Sequence, residues 1–135
     1  SGLSREGRIS AQALVDLIAV AGRVSEDATV VDALPLAGEA GTLRARLRKS
    51  GKRVRAKTGT LDGVSALSGV VTAEDGTAQV AFSIISNNRE GEDLSAARRK
   101  RMEDQVVMAL LRYIDDWELR WAIEILEAED VRASG

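Results

Sequence analysis

The sequence predicts an α+β domain in which helices pack on one antiparallel sheet. Two observations predict this class. Three consecutive stretches rich in β-branched and small residues are separated by short turn sequences, which is typical of strands that follow one another in a meander. Segments with apolar residues at every third or fourth position stand before and after these stretches, which is typical of amphipathic helices.

The first helix is predicted over residues 10–22. Ser10 can accept a hydrogen bond from the first helical turn, and Gly22 is a good terminator. The residues expected on its apolar face are Leu14, Leu17, Ile18 and Ala21. Residues 34–41 are expected to form a loop, and residues 42–49 a short basic helix.

The central part of the chain predicts three strands joined by tight turns. Each connecting segment contains a glycine that can adopt positive φ, so an antiparallel meander is the simplest arrangement. The strands are expected at residues 53–58, 64–72 and 78–86.

The last third of the chain, from Asp93 onward, predicts one long helix or two helices joined by a kink. No Gly or Pro interrupts it before the final residue. The apolar positions with a spacing of three or four are Met102, Val106, Leu110, Tyr113, Trp117, Trp121 and Ile125.

The composition excludes several common catalytic sites. The 135 residues include no His and no Cys, so Ser-His-Asp and Cys-His nucleophile systems cannot form within the chain. Zinc ligation by Cys or His is excluded for the same reason, which leaves only oxygen ligands for a metal. Catalysis would have to use Ser, Thr, Lys, Arg or carboxylates, and we expect no metal and no other cofactor.

Charge and hydropathy narrow the function classes further. The 19 basic and 21 acidic residues give a net charge of -2, which argues against a general nucleic-acid binder. No apolar run approaches the roughly 18 residues that span a bilayer, and no signal-peptide pattern opens the chain. The chain opens at Ser1 rather than Met, which is compatible with removal of an upstream segment and any export signal. The lack of Cys does not decide the compartment.

A short motif, Lys57-Thr58-Gly59, lies at the end of the first predicted strand. It resembles the Lys-Thr-Gly box of penicillin-binding proteins and serine β-lactamases. The flanking residues 34–43 and 54–69, and residues 1–5, are similar to class C penicillin-binding proteins of the D-alanyl-D-alanine carboxypeptidase/endopeptidase family.

The resemblance covers residues 1–112 and implies the fold of that part. Residues 1–112 are expected to be the C-terminal portion of a penicillin-binding peptidase domain with a serine β-lactamase-like transpeptidase fold. Residues 113–135 are expected to be an acidic amphipathic helical extension.

The resemblance also implies a role for four residues. Lys57 would place a cation beside the catalytic serine and the substrate carboxylate, and the Thr58 hydroxyl would bond that carboxylate. Gly59 would let the substrate backbone approach closely because it lacks a Cβ. The backbone N–H of Thr60 would be one of two oxyanion donors. The implied ligands are peptidoglycan stem peptides and β-lactams, and the implied location is periplasmic or otherwise extracytoplasmic.

Two motifs of the family are absent from the chain. No Ser has a Lys three residues later, so the nucleophilic Ser-x-x-Lys box is missing. Ser86-Asn87-Asn88 has the letters of the Ser-x-Asn box but follows the Lys-Thr-Gly motif, at a predicted strand end, and we interpret it as a turn. We therefore expect that the missing N-terminal portion of the same protein, or a second polypeptide, completes the site, and that this chain alone is inactive.

Two further features have ordinary explanations. A run of basic residues is interpreted as a solvated helix end and strand face, although it could attract an anionic stem peptide or a polyanion. The basic residues are Arg44, Arg46, Arg48, Lys49, Lys52, Arg53, Arg55 and Lys57.

Trp117 and Trp121 share one helical stripe, which usually indicates a core position. If the preceding helix already closes the domain, they would instead form a docking surface for the missing half or for a homo-oligomer.

Three hypotheses follow from the sequence. The leading hypothesis is an acyl-transfer enzyme that cuts D-Ala-D-Ala or a peptidoglycan cross-link through a serine contributed upstream. The second is a catalytically silent relative or fragment that binds muropeptide or protein. The third is a basic nucleic-acid module, which is disfavoured because one Tyr and one Phe offer little for base stacking.

Overall fold

The structure, a computed structural model, describes residues 7–22, 30–76, 78–88 and 94–133. Side chains of the last helix are described as far as Trp117 and at Trp121. The family-like block at residues 1–5 lies outside the described residues. The regular elements are the helix α1 (Ala11–Ala21), two short 3₁₀ helices (Gly41–Leu43 and Arg48–Ser50), the strands β1 (Val54–Leu61), β2 (Val64–Thr72) and β3 (Gln79–Asn87), and the helix α2 (Ala96–Ala133).

The three strands form one antiparallel sheet in the order β1-β2-β3, as the sequence predicts. The turn between β1 and β2 contains Gly63 at φ 72°, and the turn after β2 contains Gly76 at φ 78°. Both values lie in the left-handed region that favours glycine. The predicted α+β class is confirmed.

Two strands extend beyond their predicted ends. β1 continues from residue 58 to Leu61, and β3 continues by one residue to Asn87. Ser86 and Asn87 pair with Ser65 and Val64 of β2, so the interpretation of Ser86-Asn87-Asn88 as a turn is wrong for these two residues. Pairing with β2 continues to the end of the hairpin and overrides the local turn preference of Ser and Asn.

The predicted basic helix over residues 42–49 does not form. Two separate 3₁₀ turns occupy this segment, and Leu47 between them adopts positive φ at 53°. This conformation interrupts the helix, and both Leu43 and Leu47 are buried in the core. Burial of two leucines outweighs the strain of one non-glycine residue in the left-handed region.

The first helix has the predicted caps, and three of the four residues predicted on its apolar face, Leu14, Ile18 and Ala21, are half-buried. The Ser10 Oγ accepts from the Ala13 N–H at 3.1 Å, and the Gly22 N–H donates to the Ile18 carbonyl at 3.0 Å. Leu17, which we placed on the apolar face, is 61% exposed. The half-buried residues are Ala11, Leu14, Val15, Ile18, Ala19 and Ala21.

The hydrophobic core lies on one face of the sheet, under α2 and under residues 41–50, which contain both 3₁₀ helices and are called the 3₁₀ segment below. Side chains on a strand alternate between faces, so Val54 and Ala56 of β1 share a face with Leu67 and Val71 of β2. Helix α1 packs against β2 and β3 but contributes no residue to this core, which places it on the opposite face. The core residues are Ala37, Leu43, Leu47, Val54, Ala56, Leu67, Val71, Phe82, Val107 and Leu111.

Helix α2 is a single helix that runs through the predicted boundary at residues 112–113. Its sheet-facing stripe contains Val107, Leu111 and Ile114. Trp117 and Trp121 are 57% and 60% exposed, so their interpretation as core residues is wrong. The stripe that holds them is rotated away from the sheet. No helix in the described part of the chain is both long and apolar enough to cross a membrane.

A glycine in β2, Gly69, permits the close approach of β1 and β2. A Cβ built at Gly69 would overlap the Arg55 carbonyl oxygen and come within 2.6 Å of the Ala56 Cα. Those atoms belong to backbone, so they cannot move aside cheaply. The sheet therefore requires glycine at this position.

We predict that Gly69→Ala destabilises the chain by about 3 kcal/mol, because overpacking against backbone has few means of relief. Thermal unfolding followed by circular dichroism should show a fall in Tm of roughly 10 °C. Gly59→Ala is the matched control, since a Cβ there would lie 3.5 Å from the Ala66 Cβ, an ordinary contact. Equal Tm values for the two variants would contradict the proposed packing constraint.

Candidate active site

The strand that carries the Lys-Thr-Gly motif is an edge strand whose outer side is only partly covered. On its inner side β1 pairs with β2 along its whole length. On its outer side the Ala56 N–H donates to the Pro35 carbonyl at 3.0 Å, and the Ala37 N–H donates to the Val54 carbonyl at 2.9 Å. The first half of the strand is thus closed by the preceding loop.

The second half of β1 presents its backbone to the open edge. Backbone groups of successive strand residues point alternately to the two sides, so those of Thr58 and Thr60 point the same way as those of Ala56. The Lys57 Nζ donates to the Thr58 carbonyl at 2.7 Å, which agrees with this direction. Among the described residues, no backbone carbonyl accepts the Thr60 N–H. Thr60 therefore has a backbone donor available at an exposed edge.

The structure brings the four predicted site residues together on one strand and divides them between its two faces. Lys57 and Gly59 lie on one face, and Thr58 and Thr60 lie on the face shared with the core. The Lys57 side chain is exposed. Because its stem is long, its Nζ can curl to the Thr58 carbonyl at the edge. The motif thus offers a cation, a hydroxyl and a backbone donor along one edge.

The Thr58 hydroxyl has a partner that the sequence did not indicate. Its Oγ1 lies 2.6 Å from the Oγ1 of Thr42, in the first 3₁₀ helix. The two residues are 16 positions apart, and nothing in their local sequence marks them as a pair. A hydroxyl can donate one hydrogen bond and accept two, so this contact leaves Thr58 with capacity for a further partner.

A buried polar cluster lies directly behind the open edge. Glu103 of α2 is only 1% exposed. One of its oxygens accepts from the Ser65 hydroxyl, and the other lies 2.8 Å from the Arg46 Nη2. Ser65 stands opposite Thr60 in the strand register. The sequence did not indicate this cluster, because the apolar stripe predicted for α2 contains Met102 and Val106 and not Glu103.

Arg46 is the cation of this cluster and joins the loop to α2. Its Nη2 also donates to the Asp104 carboxylate at 2.8 Å and to the Lys100 carbonyl at 3.1 Å. Burial alone would lower the pKa of Arg46, but the hydrogen bonds and charges of Asp104 and Glu103 outweigh it, so its pKa is raised. The guanidinium therefore stays charged and keeps the carboxylates paired.

Part of the predicted basic run is bonded within the fold. Besides Arg46, Arg53 pairs with Asp115 of α2 at 2.6 Å. Arg55 donates to two carbonyls of the preceding loop, those of residues 32 and 34. These three arginines bind the loop and α2 around β1, so the interpretation of the run as a solvated face is incomplete. Lys52 fits that interpretation, because its pair with Glu39 at 2.5 Å lies at the exposed surface.

A cavity of ≈ 550 Å³ opens at the far end of β1. Thr60 belongs to both the open edge and this cavity, so a ligand along the edge would reach it. The lining residues are Thr60, Leu61, Asp62, Gly63, Asn88, Leu94, Ser95, Ala96 and Arg99.

Comparison with known proteins identifies the family to which this chain is similar. Residues 1–110 match the D-Ala-D-Ala carboxypeptidase 3 (S13) family. The chain belongs to this family. The resemblance inferred from the Lys-Thr-Gly motif and its flanking residues is confirmed.

Curated relatives include carboxypeptidases from distant organisms. The D-alanyl-D-alanine carboxypeptidase of Actinomadura sp. (strain R39) is 39% identical over 120 residues, which are 84% of this chain and 21% of that protein. The penicillin-sensitive carboxypeptidase A of Dictyostelium discoideum is 32% identical over 124 residues, covering 84% of this chain and 23% of that protein. The chain thus spans between a fifth and a quarter of these relatives' length.

A solved structure supports the fold as well. Penicillin binding protein 4 (dacB) of Haemophilus influenzae, in complex with a novel β-lactam, superimposes with a TM-score of 0.66 at 26% identity. The match covers 82% of this chain and 27% of that one. The penicillin-binding architecture that the sequence implied for this part of the chain is therefore confirmed.

The open edge gives a direct prediction for amide exchange. The Thr58 and Thr60 amides should exchange with deuterium at least about tenfold faster than the Ala56 amide, because Ala56 alone of the three has a backbone acceptor among the described residues on the outer side of β1. Residue-resolved exchange by NMR measures this. Lys57 and Gly59, whose amides face β2, are the internal controls and should exchange slowly. Slow exchange at Thr60 would mean that its N–H is not available.

Proposed function

We propose that this chain supplies the substrate-binding edge of a serine-type D-Ala-D-Ala carboxypeptidase/endopeptidase that acts on peptidoglycan stem peptides. Lys57 and Thr60 are the catalytic residues, and Thr58 and Gly59 bind substrate. The observation that carries the proposal is the available Thr60 N–H on the open half of a strand with the Lys-Thr-Gly motif.

An extended substrate would lie along the open edge of β1 as an added strand. The nucleophilic serine Oγ attacks the carbonyl carbon of the penultimate D-Ala, and its proton passes through a base to the leaving amine of the terminal D-Ala. Water then hydrolyses the acyl-enzyme. The Thr60 N–H donates to the carbonyl oxygen as it becomes negative, which lowers the barrier.

The cation and the glycine have separate tasks in this scheme. Lys57 Nζ, held at the Thr58 carbonyl in this structure, would turn towards the serine and the substrate carboxylate. Thr58 would donate its hydroxyl proton to that carboxylate, a bond to a charged group worth about 1.5–3 kcal/mol. Gly59 faces open space apart from Ala66, so the substrate backbone can approach it.

The nucleophile has to come from outside this chain. A Ser-x-x-Lys box upstream of Ser1 in the same protein would supply it, and the chain's share of its relatives' length is compatible with that. The alternative is a non-catalytic fragment that binds muropeptide or protein. An upstream sequence without Ser-x-x-Lys would favour this alternative.

The remaining proposals concern partners and location. Acting on peptidoglycan requires a periplasmic or otherwise extracytoplasmic location, and β-lactams would bind the same edge as the stem peptide. Residues 113–135 are proposed as a helical extension of the peptidase portion. The exposed Tyr113 and Trp117 rings, with centroids 6.5 Å apart, offer an apolar surface there for a second copy.

We predict that this chain alone forms no covalent adduct with a fluorescent penicillin, because it has no serine nucleophile of the required pattern. Denaturing electrophoresis followed by fluorescence imaging is the measurement. The full-length protein serves as the positive control. A labelled band from the isolated chain would show that one of its own residues is the nucleophile.

In the full-length protein, Lys57→Ala should slow acylation by penicillin at least about 100-fold, because the cation beside the serine and the substrate carboxylate is lost. Stopped-flow measurement of acylation gives the rate constant. Lys49→Ala removes an equally exposed lysine from the second 3₁₀ helix and should leave the rate unchanged. Similar rates for the two variants would remove Lys57 from the site.

A further inference from the structure

The hydrogen bond between Thr42 and Thr58 uses the proton of one of the two hydroxyls. With 2.6 Å between the two Oγ1 atoms, one hydroxyl donates and the other accepts. If Thr58 donates to Thr42, only oxygen lone pairs remain to face a carboxylate. If Thr42 donates to Thr58, the Thr58 proton stays free for the carboxylate.

We infer that Thr42 donates to Thr58 and so directs the Thr58 proton to the carboxylate of the substrate. Thr42 is a positioning residue, because it acts through Thr58 and does not itself touch the substrate. The inference rests on the proposed role of Thr58. A negative carboxylate accepts hydrogen bonds only, so its arrival selects the arrangement in which Thr42 is the donor.

The backbone around Thr42 is held firmly enough for this task. Leu43, the next residue, is fully buried, and its carbonyl accepts from the Gly38 N–H at 3.0 Å. Four residues after Thr42, Arg46 is tied to the buried Glu103. Both contacts restrain the backbone of residues 41–50. The Thr42 hydroxyl therefore stays within reach of Thr58 although the Thr42 side chain is itself exposed.

The effect of Thr42 should depend on the charge of the substrate terminus. Hydrogen bonds in a chain polarise one another, and a bond to a charged acceptor is stronger than one to a neutral acceptor. A substrate whose terminal carboxylate is replaced by an amide cannot use the directed proton to the same extent. Thr42 therefore determines specificity for a free carboxylate.

The test compares two peptides on the full-length enzyme, one ending in D-Ala-D-Ala and one ending in D-Ala-D-alaninamide. Thr42→Val keeps the branched shape and removes the donor. It should lower kcat/KM for the free acid about three- to tenfold and leave the amide within about twofold, as expected for one hydrogen bond. Thr42→Ser restores a hydroxyl and should restore the preference. The ratio of the two values on one preparation is independent of the folded fraction.

Two further variants separate this inference from the proposed function. Thr72→Val is the matched control, because the Thr72 hydroxyl also takes part in a side-chain hydrogen bond, which it accepts from Gln79 at 3.3 Å, but it lies at the other end of the sheet. It should leave both peptides unaffected. Combined with Thr58→Val, Thr42→Val should add no further loss, since both act on one interaction.

The outcomes are distinct. A ratio that falls in Thr42→Val and Thr58→Val, without additivity, supports the inference. A ratio that falls only in Thr58→Val, or an equal loss on both peptides in Thr42→Val, overturns the role of Thr42 and leaves the proposed function standing. A ratio unchanged in Thr58→Val overturns the carboxylate role of Thr58 and the inference with it.

Discussion

The buried carboxylate of Glu103 is the constraint on which the arrangement of this domain depends. Removing a charge from water costs several kcal/mol, so a carboxylate that is 1% exposed requires partners. Arg46 supplies the opposite charge and Ser65 a hydrogen bond. These partners belong to the 3₁₀ segment and to β2, while Glu103 belongs to α2. The bonds of Glu103 therefore hold α2, β2 and the segment that carries Arg46 in one position relative to one another.

That position determines the geometry of the edge strand. Ser65 stands opposite Thr60, so the bond to Glu103 restrains β2 where it supports the proposed oxyanion donor. Arg46 holds the segment that carries Thr42 against Thr58. A site on an edge strand lacks support from a second neighbouring strand. Here the loop and the helix provide that support from behind, and the outer side of Thr58 and Thr60 remains open.

Local patterns predicted the sheet well and failed where distant contacts decide. Strands β2 and β3 begin and end within one residue of their predicted bounds, because alternation and turn residues are local properties, whereas β1 continues three residues beyond its predicted end at residue 58. The predicted helix at residues 42–49 was wrong because the backbone adopts positive φ at Leu47, and the burial of Leu43 and Leu47 that compensates this strain depends on core residues distant in sequence. The interpretation of Trp117 and Trp121 as core residues was wrong for a related reason. Periodicity shows that an apolar stripe exists on α2 but not which stripe meets the sheet.

The candidate site shows the same contrast between features set by neighbouring residues and features set by distant contacts. The Lys-Thr-Gly motif was visible as a resemblance because its residues are adjacent in sequence. The partners of the motif were not, because Thr42 lies 16 residues before Thr58 and Glu103 lies 38 residues after Ser65. Pairs of this kind become visible only when the chain is folded, since neither residue alone differs from an ordinary surface Thr or helical Glu.

The glycines of β1 and β2, Gly59 and Gly69, show how a requirement of the fold differs from a requirement of a ligand. Gly69 has backbone atoms where its Cβ would lie, so the sheet itself demands glycine there. Gly59 has only an ordinary contact in that direction, and the fold would accept alanine. If glycine is needed at position 59, the need arises from a molecule that approaches the exposed strand from outside. The proposed substrate, lying along the open half of β1, is such a molecule.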